Sequence, residues 1–151
     1  MEPVKKNVPA MLQASLIFVA WSLVPTLVFV FILSQFVPFG IMIIKSKIDM
    51  LRAITTGPLI ETAAMAFYLD SLRKLLKERT IVTCVISSAS WGLFHSLFNI
   101  YWGIVILWPF FIFSIAYTRW SVLGRWWGYA AATTTHALHN AIAIALAFLL
   151  R

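Results

Sequence analysis

Long apolar runs are the feature that most constrains the fold of this chain. A helix rises about 1.5 Å per residue, so about 20 apolar residues cross a hydrocarbon core of roughly 30 Å. The sequence therefore predicts an all-α, polytopic transmembrane helix bundle with about five spans, with a kink in the first span at Pro25. The predicted spans cover residues 10–33, 57–72, 81–100, 103–117 and 126–150.

Composition supports a membrane protein and excludes other classes. Charged residues make up 11% of the chain and hydrophobic residues 62%, whereas a soluble domain averages about 25% charged and 45–50% apolar residues. The net charge of +7 would suggest nucleic acid in a soluble protein. Here the Lys and Arg residues lie between apolar runs, where topology and anionic headgroups explain them better. Membrane lipids are thus expected partners, nucleic acid is not, and the lone Cys84 predicts no internal disulfide.

The distribution of positive charge predicts the orientation. With five spans and a cytoplasmic N-terminus, eight of the twelve Lys and Arg residues are cytoplasmic, leaving residues 45, 47, 52 and 151 outside. This bias supports a cytoplasmic N-terminus.

Residues 45–54 form an amphipathic segment expected at the interface. Residues 36–44 are too short to cross alone and form either a re-entrant segment or a helix extension. A further crossing within residues 34–54 would reverse every later assignment. Residues 1–54 are thus an anchor span with an interfacial segment, and residues 55–151 a core bundle.

Three titratable residues lie inside predicted spans and are candidates for function. Placing such groups at bilayer depth is unfavourable, so they mark functional sites by default. They are Glu61, His95 and His136, and Asn140 shares a helix face with His136 because it lies one turn further on. Glu61 and His95 fall in the same leaflet, and all three titratable residues differ in depth by less than roughly 10 Å. One shared site is therefore geometrically permitted.

Further polar residues give secondary candidates. Asn99 lies four residues after His95 and repeats the spacing of the His136 and Asn140 pair, which predicts a second imidazole–amide face in the same cavity. His139 either joins the site or faces a neighbouring helix. Asp70 lies beside the basic segment 73–79 and is expected to be solvated.

These residue types in a membrane interior fit hydrolysis. A medium of low dielectric constant disfavours a charged carboxylate, which makes a glutamate a better general base near neutral pH. Two histidines are candidates either to bind a divalent metal or to stabilise a developing oxyanion, and a carboxamide is a neutral donor of the oxyanion-hole type.

Three short motifs follow one another along the chain: residues 58–66 read PLIETAAMA, residues 91–95 read WGLFH and residues 136–140 read HALHN. In this order they resemble the CPBP family of CAAX prenyl protease-like, Abi-type intramembrane proteases. The family pattern is Glu-Glu-x-x-x-Arg after a proline, then Phe-x-x-x-His, then His-x-x-x-Asn. The resemblance covers residues 55–150. Thr62 and Ala66 stand where the pattern has its second Glu and its Arg, and Trp91 replaces Phe.

The resemblance implies an intramembrane endopeptidase that cuts a peptide or protein substrate, membrane-associated or tagged at its C-terminus. By that resemblance Glu61 activates water, and His95, His136 and Asn140 complete the site. The two histidines are also the candidate ligands for a divalent metal such as zinc, whose requirement the resemblance leaves open. Trp91, Asn99 and His139 are candidates for a secondary role.

Two other functions remain open on the sequence. The substitutions at Thr62 and Ala66 fit a non-catalytic scaffold or immunity protein that keeps the fold and binds a membrane partner. A small transporter or proton relay would use the same titratable residues, but no inverted repeat or pair of broken helices is visible.

Overall fold

The computed structural model describes residues 7–36, 46–77 and 79–149. These residues form six α-helices and no strand, so the all-α prediction is confirmed over the described ranges. Residues 37–45, which include most of the segment predicted as re-entrant or as a helix extension, lie outside them. The helices are α1 (Val8–Ser34), α2 (Lys47–Ile54), α3 (Thr56–Leu75), α4 (Thr80–Ser96), α5 (Ile100–Ser121) and α6 (Arg125–Leu149).

Local chemistry accounts for several helix boundaries. The Ser46 hydroxyl accepts a hydrogen bond from the Asp49 amide at the start of α2. At the start of α5, the Asn99 side chain accepts hydrogen bonds from the amides of Tyr101 and Trp102. Both are N-cap interactions that satisfy otherwise unpaired donors of the first turn. α1 continues through Pro25, where the sequence predicted a kink, and remains a single helix of 27 residues.

Three helices are long and apolar enough to cross a membrane, namely α1, α5 and α6. The chain is therefore a membrane protein by the length and composition of these helices. α1 shows the surface such a setting requires, because Leu16, Trp21 and Phe31 each have more than half of their area exposed. Large apolar groups covering one face of an isolated chain mark a surface that contacts another apolar phase. Five spans, as predicted from the sequence, would require α3 and α4 to cross the membrane as well.

α5 is the central helix of the bundle. It packs against α1, α3, α4 and α6, and it carries more buried residues than any other helix. Ser15 donates to the Ala131 carbonyl and Ser22 contacts His139, so α1 and α6 run in the same direction. α5 runs the opposite way because it follows α4 and precedes α6 through short turns. Small buried side chains such as Ser15 and Ser22 allow the close helix approach that is common in membrane bundles.

α4 and α5 approach each other closely at Gly103. A Cβ atom added there would overlap the Ser96 side chain and the Gly92 carbonyl oxygen. The missing side chain therefore brings the C-terminal turn of α4, which carries His95, against the first turns of α5. Nearby, the Ser88 hydroxyl donates to the Leu107 carbonyl and strengthens the same contact.

A polar cluster closes the opposite end of the bundle. The Tyr117 hydroxyl donates to the Asp70 carboxylate at 2.8 Å, and the Arg125 guanidinium contacts that carboxylate at 2.8 Å. Arg73 donates to the Ser121 hydroxyl at 3.1 Å. The prediction that Asp70 is merely solvated is thus wrong. Its side chain is 19% exposed, because the turn of α3 on which it lies packs against α5 and the start of α6.

Candidate functional site

A single cavity collects the polar residues of three helices. Its volume is about 430 Å³, which lies within the range of about 300–1,000 Å³ typical of small-ligand sites. Glu61 of α3, His95 of α4 and the α6 residues His136, His139 and Asn140 all line it. The four residues predicted as catalytic are therefore neighbours of one space, although up to 79 positions separate them in sequence. Apolar side chains of α5 form much of the remaining wall.

Glu61 and His136 approach each other in this cavity. The carboxylate Oε2 lies 3.8 Å from the imidazole Nε2, and the side chains are 36% and 4% exposed respectively. This distance is too long for a direct hydrogen bond, but a bridging water can be shared across it. Glu61 faces the open part of the cavity, and His136 is held in its wall.

Thr62 contacts the other nitrogen of the His136 ring. Its Oγ1 lies 3.3 Å from Nδ1, and the Thr62 side chain is fully buried. A carboxylate beside Nε2 favours a proton on that nitrogen, which leaves Nδ1 as the acceptor of the Thr62 hydroxyl proton. Two consecutive residues of α3 thus engage both nitrogens of one imidazole. The Phe113 ring stacks on it at a centroid distance of 4.5 Å and fixes its plane.

His95 has a defined tautomer in this arrangement. Its Nδ1 lies 2.9 Å from the Trp91 carbonyl oxygen, which can only accept. Nδ1 therefore carries the proton, and Nε2 of the neutral ring keeps its lone pair. Trp91 stacks on Phe110, whose ring centroid lies 5.6 Å from that of His95 and 5.4 Å from that of His136. Trp91 is thus part of the support behind His95 and does not itself line the cavity.

Asn140 links the cavity to the short helix α2. Its Nδ2 donates to the Ala53 carbonyl at 2.9 Å, so one of its two amide protons is used within the protein. The second proton and the carbonyl oxygen remain for a ligand. Through this bond the end of α2 becomes part of the cavity wall, together with Arg52 and Ala53.

His139 both lines the cavity and binds α1. Its Nδ1 lies 2.9 Å from the Ser22 hydroxyl, which also donates to the Val19 carbonyl at 3.0 Å. A hydroxyl has a single proton, so when Ser22 donates to Val19 the histidine must donate to Ser22. The sequence predicted that His139 either joins the site or faces a neighbouring helix. It does both, since it borders the cavity and contacts α1.

Asn99 lies apart from these residues. α4 ends at Ser96, and Asn99 adopts an extended conformation as the N-cap of α5, with its side-chain oxygen engaged by two amides. It does not line the cavity. The predicted imidazole–amide face of His95 and Asn99 required one continuous helix, and the helix break removes it.

The donor set does not fit a resident metal ion in this arrangement. Within the described ranges, no group of three His, Cys, Asp or Glu side chains is close enough to hold one, whereas a catalytic zinc uses three protein ligands.

Two residues of the site were missed from the sequence. In the sequence Thr62 is only a departure from the motif, because consecutive helix residues point about 100° apart and its place next to Glu61 does not by itself put it beside His136. Arg52 was counted only as a topological charge, and nothing in the local pattern places it in the cavity. Comparisons with known families, curated proteins and solved structures give no match for this chain.

Proposed function

We propose that this protein is an intramembrane peptidase related to the CPBP family. One observation carries the proposal: Glu61, His95, His136 and Asn140 come from three different helices and line one cavity. A membrane bundle has no packing reason to gather a carboxylate, imidazoles and a carboxamide around an open space, because each is unfavourable in an apolar medium. The substrate is a peptide bond in a membrane-associated chain.

The geometry supports a water-activation mechanism. A water placed between Glu61 and His136 would give a proton to the carboxylate while its oxygen bonds to the substrate carbonyl carbon. The resulting oxyanion would accept a hydrogen bond from Nε2–H of His136 or from the remaining amide proton of Asn140. The carbon–nitrogen bond then breaks as Glu61 returns the proton to the leaving nitrogen. His95 Nε2 carries a lone pair and would orient the attacking water.

The same proposal includes five crossings with a cytoplasmic N-terminus, in a bacterial or archaeal cell membrane. α3 has 20 residues and is about 30 Å long, and α4 with 17 residues is about 25 Å long. Both pack along α5, and α3 also packs along α6. Because α5 and α6 are long and apolar enough to cross the membrane, helices that pack along them are expected to cross as well. α1, α4 and α6 would then run outward, and α3 and α5 inward.

A non-catalytic membrane scaffold is the second candidate. It is favoured by the number of site groups whose hydrogen bonds are met within the protein, as in the pairs of Asn140 with Ala53 and His139 with Ser22. Ala66 belongs to an apolar cluster with Met65 and Phe113, so the arginine of the family motif has no counterpart there. A scaffold would keep the bundle without needing the carboxylate of Glu61.

Substitution of Glu61 separates these functions. Glu61→Gln keeps the shape of the side chain but removes the general base, so new peptide termini in the membrane proteome should disappear while protein abundance is unchanged. Mass spectrometry of termini from cells producing either form measures this. Asp49→Asn is the matched control, since Asp49 lies on α2 and outside the cavity. Identical termini from the wild type and Glu61→Gln would rule out the glutamate mechanism.

A further inference from the structure

α5 carries a proline at the wall of the cavity that holds Glu61 and His136. Pro109 lies inside this helix and borders the cavity, as does Val105 four residues before it. A proline nitrogen carries no hydrogen, so the Val105 carbonyl lacks the amide donor that a regular helix would give it at residue i+4. The proline therefore leaves one main-chain acceptor of α5 without its helical partner.

This acceptor lies on the side of α5 that faces the cavity. The carbonyl of a helical residue points along the helix axis toward residue i+4, and here both Val105 and Pro109 border the cavity. Trp102 and Ile106 border it as well, and their spacing from Val105 and Pro109 defines one face of the helix. The Val105 oxygen, between two residues of that face, is therefore part of the cavity wall.

α1 contains the same backbone feature but pairs the freed carbonyl. Pro25 lies inside α1 and deprives the Trp21 carbonyl of its helical donor in the same way. That carbonyl accepts a hydrogen bond from the indole Nε1 of Trp108 at 2.7 Å. An unpaired main-chain group is costly in a membrane, and prolines are tolerated there when another group takes the freed partner. This chain can thus supply such a donor from a tryptophan.

The Val105 carbonyl has no comparable partner. Within the described ranges no side chain donates to it, and the Ser88 hydroxyl of α4 donates to Leu107 instead. Trp102 lies one turn before Val105, yet its indole Nε1 is buried without any hydrogen-bond partner among the described residues. The Trp102 ring lies parallel to the His95 imidazole at a centroid distance of 6.4 Å. The Val105 acceptor is therefore left for a group that enters the cavity.

We propose that the Val105 carbonyl accepts a hydrogen bond from a main-chain N–H of the substrate. This inference rests on the proposed peptidase function and states how that site holds its substrate. Every residue except proline carries the required donor, and the donors inside a helix are already used, so the bound segment is extended. A cavity of about 430 Å³ holds only a few residues, which places the contact close to the bond that Glu61 attacks. The site would therefore tolerate varied side chains but reject proline at one position.

Binding to a non-cleaving protein tests this contact. Glu61→Gln protein in nanodiscs of zwitterionic lipid is incubated with peptides of random apolar sequence, and mass spectrometry identifies the best retained peptide. That peptide is made again with each amide in turn replaced by an ester, which removes one N–H and keeps the shape. One ester should weaken binding about two- to tenfold, as expected for the loss of a neutral hydrogen bond. Adding Pro109→Ala gives residue 109 an amide hydrogen for the Val105 carbonyl. It should weaken binding of the all-amide peptide by the same factor, and the critical ester should then cause no further loss.

Pro25→Ala is the matched control, because it removes a proline from a helix whose freed carbonyl already has a donor. It should leave the ester profile unchanged. The proposal is overturned if no peptide is retained above empty nanodiscs, or if no ester weakens binding, as when a water occupies the Val105 acceptor. An ester effect of the same size in the Pro109→Ala protein would also overturn it.

A second measurement leaves α5 unaltered and is decisive even if Pro109→Ala does not fold. Isotope labelling of valine carbonyl carbons and isoleucine amide nitrogens selects Val–Ile peptide bonds, which the sequence contains only after Val85 and Val105. Binding of the peptide to Glu61→Gln protein should shift the carbonyl NMR signal of Val105 and not that of Val85, which lies outside the cavity. An unchanged Val105 signal would refute the contact. A shifted signal and an ester effect, with no cleavage by the wild type, would contradict the peptidase function alone.

Discussion

Thr62 is a positioning residue for His136. Its hydroxyl lies 3.3 Å from Nδ1, and the opposite ring nitrogen faces Glu61 at 3.8 Å. A neutral imidazole has one proton, so a donor at Nδ1 keeps that proton on Nε2, where it can be given to an oxyanion. A residue that departs from the family motif thus makes a contact with a member of the site.

Removing the Thr62 hydroxyl should therefore alter both the tautomer and the rate. Thr62→Val keeps the shape and should lower kcat about two- to tenfold with little change in KM, because a neutral hydrogen bond contributes about 0.5–1.5 kcal/mol. Nitrogen NMR of labelled histidine should show His136 as a mixture of tautomers. Thr62→Ser is the control and should restore both. Identical spectra for wild type and Thr62→Val would mean that Thr62 has a packing role only.

At this scale the sequence predicted residue types better than residue partners. Glu61, His95, His136 and Asn140 were recognisable because polar groups stand out in apolar runs. The contacts of Asp70 with Tyr117 and Arg125 were not, since they depend on how α3, α5 and α6 are rotated about their axes. No single helix contains that information.

The helices themselves follow the sequence closely, and their ends do not. The predicted span 81–100 is in the structure a helix that stops at Ser96, followed by a separate helix from Ile100. An apolar run continues across this junction, so hydrophobicity alone cannot show the break. The side chain of Asn99 decides it, because Asn is a strong N-cap residue. Asn99, which the sequence predicts as a site residue, therefore has a structural role as the N-cap of α5.

A buried pair of polar side chains joins α1 to the site helix α6, in addition to the hydrogen bond from Ser15 to the Ala131 carbonyl. Ser22 and His139 lie 2.9 Å apart, and such pairs in membrane proteins contribute about 0.6 kcal/mol on average. Ser22→Ala and His139→Ala should each lower stability, and the double variant should lose less than their sum by roughly that amount. Unfolding in detergent by a chemical denaturant measures this coupling. Strictly additive losses would show that the pair does not stabilise the packing of α1.

His139→Ala should also reduce processing less than His136→Ala does. His136 is the imidazole beside Glu61, whereas His139 is directed toward α1 through Ser22. Comparing the rates of the two variants at equal abundance measures the difference. An equal loss of processing rate in both variants would mean that His139 takes part in the reaction as His136 does.

For the whole molecule, the number of crossings decides which side each end of the bundle faces. Length and composition alone qualify α1, α5 and α6. α3 carries Glu61, Asp70 and two basic residues in its last turn, and these charges lower its mean hydropathy although it packs within the bundle. Polar residues that serve a site or an end cluster therefore lower the mean hydropathy of a helix that we propose to cross the membrane.

Cysteine labelling distinguishes five crossings from three. The single native thiol can be removed as Cys84→Ala, since it is buried, and one cysteine then introduced by Lys47→Cys or Lys74→Cys. With five crossings Lys47 faces outside and Lys74 faces the cytoplasm. An impermeant thiol reagent added to intact cells should label only the former. Labelling of both positions from outside would mean that α3 and α4 do not cross.

In the proposed mechanism, Glu61 and His136 activate a water for peptide hydrolysis. To test this directly, the purified protein is incubated with an uncleaved membrane peptide that it processes in cells, in water labelled with heavy oxygen. Mass spectrometry then gives the mass of the product that carries the new C-terminus. We expect one heavy oxygen in that carboxylate for the wild type and no product for Glu61→Gln. Product formation by Glu61→Gln at the wild-type rate, or a wild-type product without heavy oxygen, would contradict it.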